Sequence, residues 1–367
     1  MKKKLVSSFC LFFLILVLMS SAQAPAILSS ADTQGISSGK GLFDSDTVLE
    51  ITLSGKTRDV LNDRSDKAPY RPMNFLYMDD DNRQISIPVE VKTRGHFRKL
   101  KGNCYYPPLQ VHFIKSDQLK SSIFEAQDKI KLVMPCKGDE YVIREWLVYK
   151  LYNLVTPQSF RARLVSVKLH NTQNNKTDSP FYGILLEEEK QMAKRNGAIS
   201  VTRKMQPEQA NSKSFLNMAV FQYLVGNTDW SVQYLQNIKL LAADSNAIAD
   251  VVPYDFDHSG MVDAPYAAPE EQLLLSSVRE RRYRGYCIKD MNRFDEVIAR
   301  YNSIKNDVYK LYSNNPLLGE KYIKTTLKYL DEFYATINNP SKVEKEFGYP
   351  CNPTGTGNVV IKGLKEE

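Results

Sequence analysis

The sequence lacks the features typical of membrane-spanning, nucleic-acid-binding and zinc-binding proteins. Its apolar run at residues 9–19 is too short to cross a bilayer as a helix. A net charge of +7 on 367 residues is too small to argue for nucleic-acid binding, and no dense basic run occurs outside residues 279–284. The cysteine spacings match no zinc motif, and the chain contains no internal repeat. The 43% apolar composition is that of a globular chain able to build a core.

The first 22 residues have the parts of a secretory signal peptide. Three lysines at residues 2–4 precede the apolar run at 9–19, and small residues follow at 20–24. We expect cleavage after Ala22. Cys10 lies early in the apolar run and not at its end, so no lipid anchor is expected. The sequence therefore predicts export to the periplasm, the cell surface or the medium, without a stable transmembrane anchor. An uncleaved signal anchor is the alternative.

Four cysteines remain after removal of this segment, and an even number in an exported protein favours disulfides. They are Cys104, Cys136, Cys287 and Cys351, and three pairings are possible. We favour Cys104 with Cys136 and Cys287 with Cys351, because each bridge then stays within one predicted lobe.

The rest of the chain divides into a strand-rich first half and a helical second half, which predicts an α+β fold. Residues 23–45 form a linker or leading tail, residues 46–190 a β-rich N-terminal lobe, residues 191–340 a helical C-terminal lobe, and residues 341–367 an irregular tail. Short strands are expected at 48–53, 74–78, 85–91, 129–134, 164–169 and 181–186. Helices are expected from Asp139 to a stop at Thr156, over 214–225 with Gly226 as its end, over 294–311 and over 323–337.

Residues 226–260 bring four side chains with oxygen donors to one end of a predicted hairpin. Strands at 238–241 and 248–254 flank a turn, and counting outward from it pairs Asn237 with Asp255. Asp229 enters the same end from the preceding loop, and Asp257 lies just beyond it. Carboxylate and amide oxygens suit Mg²⁺. The alternative is that these are ordinary turn residues and a solvated strand end.

The order of these residues matches the catalytic centre of protein kinases. There a loop Asp meets the substrate hydroxyl, and an Asn and a second Asp hold Mg²⁺ against the nucleotide phosphates. This chain lacks the His-Arg-Asp sequence of ordinary kinases, and it has Asp-Phe-Asp at 255–257 in place of Asp-Phe-Gly. The gap between Asp229 and Asn237 is also longer than in those enzymes. An ordinary kinase domain is therefore not expected.

The segments GNTDW at 226–230 and PYDFD at 253–257 resemble the CotH (spore coat protein H) kinase family, a divergent kinase-like group. The resemblance extends over roughly residues 94–266. It implies an atypical protein-kinase-like fold with two lobes, an antiparallel β-rich N-terminal lobe and a helical C-terminal lobe. It also implies ATP and Mg²⁺ as cofactors, and phosphorylation of Ser or Thr hydroxyls on an exported protein.

The same resemblance suggests a role for each site residue. Asp229 would orient or deprotonate the acceptor hydroxyl. Asn237 and Asp255 would hold Mg²⁺, with Asp257 as an additional ligand or a residue just behind the ligands. Arg94 matches part of the family's Arg-Gly-Asn element and could grip the phosphates with its guanidinium, although an exposed strand-end cation is the alternative.

Two glutamates complete the predicted cofactor site. Glu145 stands at the place of the kinase helix Glu that pairs with the phosphate-gripping cation. Glu187 ends a strand similar to the one that borders the nucleotide, so it could contact the ribose or the base. Its alternative is an acid at a helix N-terminus. The family's usual lysines are replaced by Gln110 and His112.

Other functions remain open. Export removes the protein from cytoplasmic ATP, which favours a non-catalytic, adhesin-like protein that keeps the fold to bind a surface ligand. The retained Asp229, Asn237, Asp255 and Asp257 oppose that hypothesis. A metal-dependent glycosyltransferase or phosphohydrolase would leave Asp229 and Asn237 unexplained. The arginines at 279–284 could bind a phosphorylated or acidic partner, or could be a solvated helix face.

Overall fold

Helices and strands both occur in the chain, so the predicted α+β class is confirmed. The computed structural model describes residues 41–100 and 102–349. The predicted signal peptide at 1–22, the linker as far as residue 40 and the tail from residue 350 lie outside the described residues. Every described residue belongs to one structural unit.

Eight strands in the first half of the chain form one sheet, and seven of them close on themselves. The strands are β1 (Leu49–Gly55), β2 (Arg71–Met78), β3 (Gln84–Thr93), β4 (Leu109–Phe113), β5 (Lys129–Val133), β6 (Ala162–Asn171), β7 (Lys176–Thr177) and β8 (Phe181–Leu186). The order is β1-β2-β3-β4-β5-β8-β6-β7, and β6 also pairs with β1. Each predicted strand of this region is present, within a few residues of its expected ends.

The closure corrects the prediction of an antiparallel N-terminal lobe. The pair β1–β6 is parallel and runs from Leu49 opposite Val165 to Gly55 opposite Asn171, whereas the other neighbours are antiparallel. The described strands therefore form a closed seven-stranded sheet and not the open lobe of a two-lobed kinase. Alternating side chains reveal a strand and its buried face, but they do not reveal which two edges meet.

Side chains fill the interior of the closed sheet. Alternate residues of β3, Ile87, Val89 and Val91, are buried because successive side chains of a strand point to opposite faces. Phe124, from the connection between β4 and β5, contacts Phe75 edge to face and stacks on Phe113, at ring-centroid distances of 4.8 and 5.1 Å. The interior is thus a packed core.

One long helix, α3 (Asp139–Val155), lies between β5 and β6 in the chain. It begins at Asp139 and stops at Thr156 as predicted, and Gly138 is its N-cap. The Asp139 carboxylate accepts the Tyr182 N–H at 3.1 Å. Apolar residues lie on several sides of α3, and its buried side chains belong to the same cluster as the helices of the second half. This position puts Glu145 of α3 in the interior.

The second half of the chain is mainly helical. Its elements are α4 (Glu189–Arg195), β9 (Ile199–Val201), α5 (Ser212–Val225), β10 (Ile238–Ala242), β11 (Asp250–Pro253), α6 (Asp295–Ser303), α7 (Lys305–Ser313), α8 (Glu320–Ile337) and α9 (Pro340–Phe347), while α1 (Thr57–Asn62) and α2 (Asp117–Lys120) are short helices of the first half. The helix expected over 294–311 is divided at Ile304, and α9 occupies part of the tail expected to be irregular. A small sheet has the order β11-β10-β9.

A disulfide joins Cys104 to Cys136, which confirms one predicted pairing and is compatible with export. It ties the segment after β3 to the segment after β5. Cys351 lies outside the described residues, so its pairing with Cys287 stays a prediction. In the described part of the chain, no helix combines the length and apolarity needed to span a bilayer.

Candidate functional site

The loop that carries Asp229 begins at a glycine that no other residue could replace without strain. Gly226 ends α5 in the left-handed conformation, with φ 67° and ψ 40°, as the sequence predicts for a helix-ending glycine. A Cβ atom at this position would lie 2.3 Å from the Tyr329 hydroxyl and 2.9 Å from the Val278 carbonyl oxygen. Just after it, the Asn227 side-chain oxygen accepts the Asp229 N–H at 3.0 Å. The loop is therefore tightly fixed where it leaves the helix.

Asp229 and Asn237 meet as predicted. The Asn237 side-chain amide donates to the Asp229 carboxylate at 2.9 Å and to the Asp229 carbonyl oxygen at 2.8 Å. Gln236 donates to the other carboxylate oxygen. Burial raises the pKa of Asp229 to about 6, and the carboxylates of Asp257 and Asp255 add to the rise while His258 opposes it. Asp229 can therefore exchange a proton near neutral pH.

The hairpin register differs by one residue from the prediction. Ile238 lies opposite Pro253, so Asn237 is opposite Tyr254, whose N–H donates to the Asn237 carbonyl oxygen at 3.0 Å. The predicted pairing of Asn237 with Asp255 is wrong. Both residues have left-handed backbones, with φ 51° at Asn237 and φ 62° at Asp255, and such strain in non-glycine residues gathers at functional sites. A pattern of apolar residues does not fix the turn length that sets the register.

Asp257 and Glu145 form a buried acidic group around one arginine. The Asp257 and Glu145 residues are 5% and 2% exposed. Arg98 lies between them, with Nη1 3.7 Å from Glu145 Oε2 and 3.7 Å from Asp257 Oδ2, and Tyr266 donates its hydroxyl to Asp257 at 3.0 Å. Burial raises the pKa of Glu145 well above its usual range, with Asp257 adding to the effect. For Asp255 the pKa is raised by burial and by Asp257.

Glu145 therefore pairs with Arg98 and not with the predicted Arg94. Arg98 lies in a short turn after β3, where its Nη2 also donates to the Met134 carbonyl oxygen. Sequence analysis missed Arg98 because nothing in the local sequence distinguishes it from Arg94. Among the atoms that the structure describes, Glu145 Oε1 and Arg98 Nε are buried without a hydrogen-bond partner. Such unpaired buried polar atoms require an explanation, and a bound polar group or ion is one.

A cationic group lies within electrostatic reach of Asp255. Lys131 of β5 lies 4.9 Å from the centroid of the Tyr254 ring, and Lys239 lies 5.6 Å from it. Burial lowers the pKa of Lys131 to about 8, a net value to which Arg94 and Lys239 contribute and which Asp255 opposes. Lys239 is neutralised by Glu189 at 2.7 Å. Within residues 41–100 and 102–349, the guanidinium of Arg94 has no hydrogen bond or ion pair.

Lys131 is a site residue that sequence analysis missed. The family resemblance places the usual lysines on β4, where this chain has Gln110 and His112. Lys131 occupies the next strand, directly opposite Gln110 in the antiparallel register. The signal was the alternation of Lys129, Ile130 and Lys131, which shows a half-buried strand but does not show that Lys131 faces Asp255.

Glu187 does not belong to this site. Its carboxylate is fully buried, and the side chains of Arg161 and Arg195 form ion pairs with it at 3.2 and 3.0 Å. The backbone N–H of Arg161 also donates to it, at 2.9 Å. The carboxylate therefore has a structural role, which corrects the prediction that it contacts a nucleotide. The acid that caps α4 is its neighbour Glu188.

The donor set near Asp255 fits a hard cation without forming a complete cage. Across the described ranges, no group of three or more His, Cys, Asp or Glu side chains is arranged to hold a metal ion. Mg²⁺, however, commonly takes only one or two carboxylates and completes its shell with water and substrate phosphates. Asp257 raises the electrostatic cost of ionising Asp255, and the two hydrogen bonds of the Asn237 side chain to Asp229 use its nitrogen and not its oxygen. These three residues, with the unpartnered Glu145 Oε1, suit such an ion.

Comparison with known proteins adds no assignment. No protein-family model matches the sequence, and no curated protein matches it significantly. The arguments about function therefore depend on the residues of the site.

Proposed function

We propose that the chain is a Mg²⁺- and ATP-dependent phosphotransferase of the CotH type, which phosphorylates Ser or Thr hydroxyls on an exported protein. One observation carries the proposal: an acidic group that includes Asp255 lies within electrostatic reach of a cationic group formed by Lys131 and Arg94. The acidic group contains Glu145, Asp255 and Asp257, and in each group like charges disfavour one another. A metal ion bound to a polyphosphate would relieve both groups at once, because the ion neutralises the acids and the phosphates neutralise the cations.

Each side chain has a defined role in this proposal. Asn237 Oδ1, Asp255 and Asp257 hold Mg²⁺, which supplies charge neutralisation at the phosphates. Lys131 and Arg94 bind phosphate oxygens, and Arg94 can do so with two parallel hydrogen bonds. Asp229 orients the acceptor hydroxyl and accepts its proton. Phosphoryl transfer needs mainly positioning and electrostatic stabilisation, so this set of groups is sufficient.

In this proposal the two halves of the chain serve as the two lobes of an atypical kinase, although the closed sheet differs from the N-terminal lobe of ordinary kinases. Residues 46–190, with the closed sheet and α3, take the place of the N-terminal lobe. Residues 191–340, with the hairpin β10–β11, take the place of the C-terminal lobe. The proposal departs from ordinary kinases at Glu145, because Arg98 and not the phosphate-binding lysine is its partner.

One argument for the adhesin-like alternative is weakened. The replacement of the family's usual lysines by Gln110 and His112 would favour a protein that only binds. Lys131 supplies a half-buried ammonium group on the neighbouring strand, next to Asp255. A protein that only bound a surface ligand would have no need for this lysine together with Asp229.

The test is incorporation of labelled phosphate from Mg²⁺·[γ-³²P]ATP, into the purified mature protein itself or into an added extract of exported proteins. We expect Asp229→Asn to lower the rate roughly 10²- to 10⁴-fold, the usual contribution of a general base. Asp307→Asn on the exposed face of α7 is the matched control and should leave the rate unchanged. Absence of incorporation by the wild-type protein, or equal incorporation by Asp229→Asn, would contradict the proposal.

A further inference from the structure

The arginines of residues 279–284 bind backbone carbonyl groups inside the protein. The sequence left open a partner-binding cluster or a solvated helix face, and the segment forms neither. It is not helical, and Arg279, Arg281 and Arg284 each donate to main-chain oxygens. Arg282 is the exposed member of the cluster. These three arginines therefore stabilise the loops around the site.

Arg284 holds the loop on both sides of Asp229. Its Nη1 donates to the carbonyl oxygen of Thr228 at 2.7 Å and to that of Trp230. These are the residues immediately before and after Asp229. Arg284 is only 7% exposed, and its guanidinium lies 4.8 Å from the centroid of the Trp230 ring. A buried hydrogen bond of this kind is stronger than one in water and its geometry is restricted.

The Trp230 side chain continues the support. Its indole N–H donates to the Asn227 carbonyl oxygen at 3.2 Å, and the Asn227 side chain accepts the Asp229 N–H. The segment 227–230 is thus fixed by the hydrogen bonds of Asn227 near the end of α5 and by those of the Arg284 side chain. Together they determine where the Asp229 carboxylate lies.

The other two arginines fix the neighbouring segments. Arg281 donates to the Leu224 carbonyl oxygen at 3.2 Å, near the end of α5, and its guanidinium stacks on the Tyr329 ring at 3.4 Å. Arg279 donates to the Gly260 carbonyl oxygen at 3.1 Å, just after the Asp-Phe-Asp segment. The same segment thereby supports the loops that carry both Asp229 and Asp257.

We propose that Arg284 is a positioning residue that sets the Asp229 carboxylate in place for the acceptor hydroxyl, an inference that rests on the function proposed above. Arg284 makes no contact with Lys131, Arg94 or Asp255 in the described structure. Its loss therefore lowers the rate of transfer and leaves Mg²⁺·ATP binding intact. Displacement of a reacting group by about 1 Å can cost on the order of 10²-fold in rate.

The experiment compares Arg284→Met and Arg284→Lys with Arg282→Met, the exposed control in the same segment. For each full-length mature variant, kcat, the KM for ATP and amide hydrogen exchange are measured. We expect Arg284→Met to lower kcat about 10²-fold, with an unchanged KM for ATP and faster exchange in residues 226–237 but not in 142–155. Arg284→Lys keeps the buried charge and should show a smaller loss of kcat. Arg282→Met should match the wild type.

Two outcomes would overturn the inference. One is an unchanged kcat in Arg284→Met. The other is a loss in which the KM for ATP and the exchange of 142–155 change together with kcat, because that pattern indicates general unfolding. If Arg284→Met does not fold, Arg284→Lys decides by the same two criteria. The exchange measurement can be made on an inactive protein. If the wild type is inactive and exchange in residues 226–237 is nevertheless faster in Arg284→Met, the proposed function is refuted. The conclusion that Arg284 fixes the loop then still stands.

Discussion

The Asn237 side-chain amide donates two hydrogen bonds to Asp229, one to the Asp229 carboxylate at 2.9 Å and one to the Asp229 backbone carbonyl oxygen at 2.8 Å. The proposed metal ligand and the proposed base are therefore held by the same amide group.

The first prediction concerns this pair. Asn237→Asp keeps an oxygen donor for Mg²⁺ but places a second carboxylate against Asp229, which raises the pKa of Asp229 further. We expect the transfer rate to fall and its dependence on pH to shift to higher pH. Asn237→Ala should also destabilise the fold, by about 1–3 kcal/mol, because buried acceptors lose their donor.

The exposed turn residue Asn246 provides the control for this pair. Asn246→Asp should leave both the pH–rate profile and the denaturation midpoint unchanged. An Asn237→Asp enzyme with the wild-type pH–rate profile would show that the two hydrogen bonds have no influence on the base.

The second prediction concerns the pH dependence of nucleotide binding. Burial and the neighbouring cations lower the pKa of Lys131 to about 8 in the ligand-free protein. Bound phosphate favours the charged ammonium, so binding above pH 8 requires uptake of a proton, and affinity for ATP should fall as pH rises from 8 to 10. Titration calorimetry in buffers of different ionisation enthalpy measures the proton uptake. In Lys131→Arg the cation stays charged, and the decline should disappear.

The lowered pKa of Lys131 also affects the stability of the ligand-free protein, which should rise with pH where the affinity for ATP falls. Between pH 8 and the ordinary lysine range, the unfolded chain binds the proton that the folded protein has released. The contribution of Lys131 to the free energy of unfolding therefore increases as pH rises through this window. Chemical denaturation of the wild type and of Lys131→Met should show a pH-dependent difference there. A difference that is constant with pH would contradict the lowered pKa.

The third prediction concerns the disulfide. Cys104–Cys136 ties the segment that follows Arg94 and Arg98 to the end of β5, and the Tyr105 N–H donates to the Cys136 carbonyl oxygen at 3.0 Å. Replacement of both cysteines by serine should destabilise the protein by about 2–4 kcal/mol. It should also weaken ATP binding, because Arg94 and Lys131 lose their fixed separation. Denaturant unfolding and calorimetry measure the two effects, and an unchanged affinity for ATP would show that the bridge serves stability alone.

The fourth prediction separates two reasons why position 226 needs glycine, the left-handed backbone and the close approach of neighbouring atoms. Gly226 and Gly197 both have left-handed backbones, with φ 67° and 64°, but only Gly226 is approached closely by neighbouring atoms. Gly197→Ala should therefore cost only the backbone strain, about 1–2 kcal/mol. Gly226→Ala should cost clearly more, because Tyr329 and the Val278 carbonyl must move. Equal midpoints in thermal unfolding of the two variants would contradict the close approach.

Local features of the chain were predictable from the sequence, and long-range ones were not. The strands, α3 and the glycine at 226 follow from alternation and helix-end residues. The Cys104–Cys136 bridge follows from cysteine parity together with the expectation that each bridge stays within one half of the chain. The parallel contact of β1 with β6 does not, since nothing in either strand encodes its partner. Asp229 and Asn237 were found through their order in a motif. Arg98, Lys131 and Arg284 were missed because their importance depends on residues far away in the chain.

The most direct test of the account is a thermal-shift titration of the purified mature protein with ATP in the presence and absence of Mg²⁺. The wild type is compared with Asp255→Asn, with Lys131→Met and with the exposed control Lys129→Met of the same strand. A ligand that binds only the folded state raises the melting temperature. The account predicts a Mg²⁺-dependent rise in the wild type and in Lys129→Met, which is lost in Asp255→Asn and Lys131→Met. No rise in the wild type at millimolar ATP would contradict it.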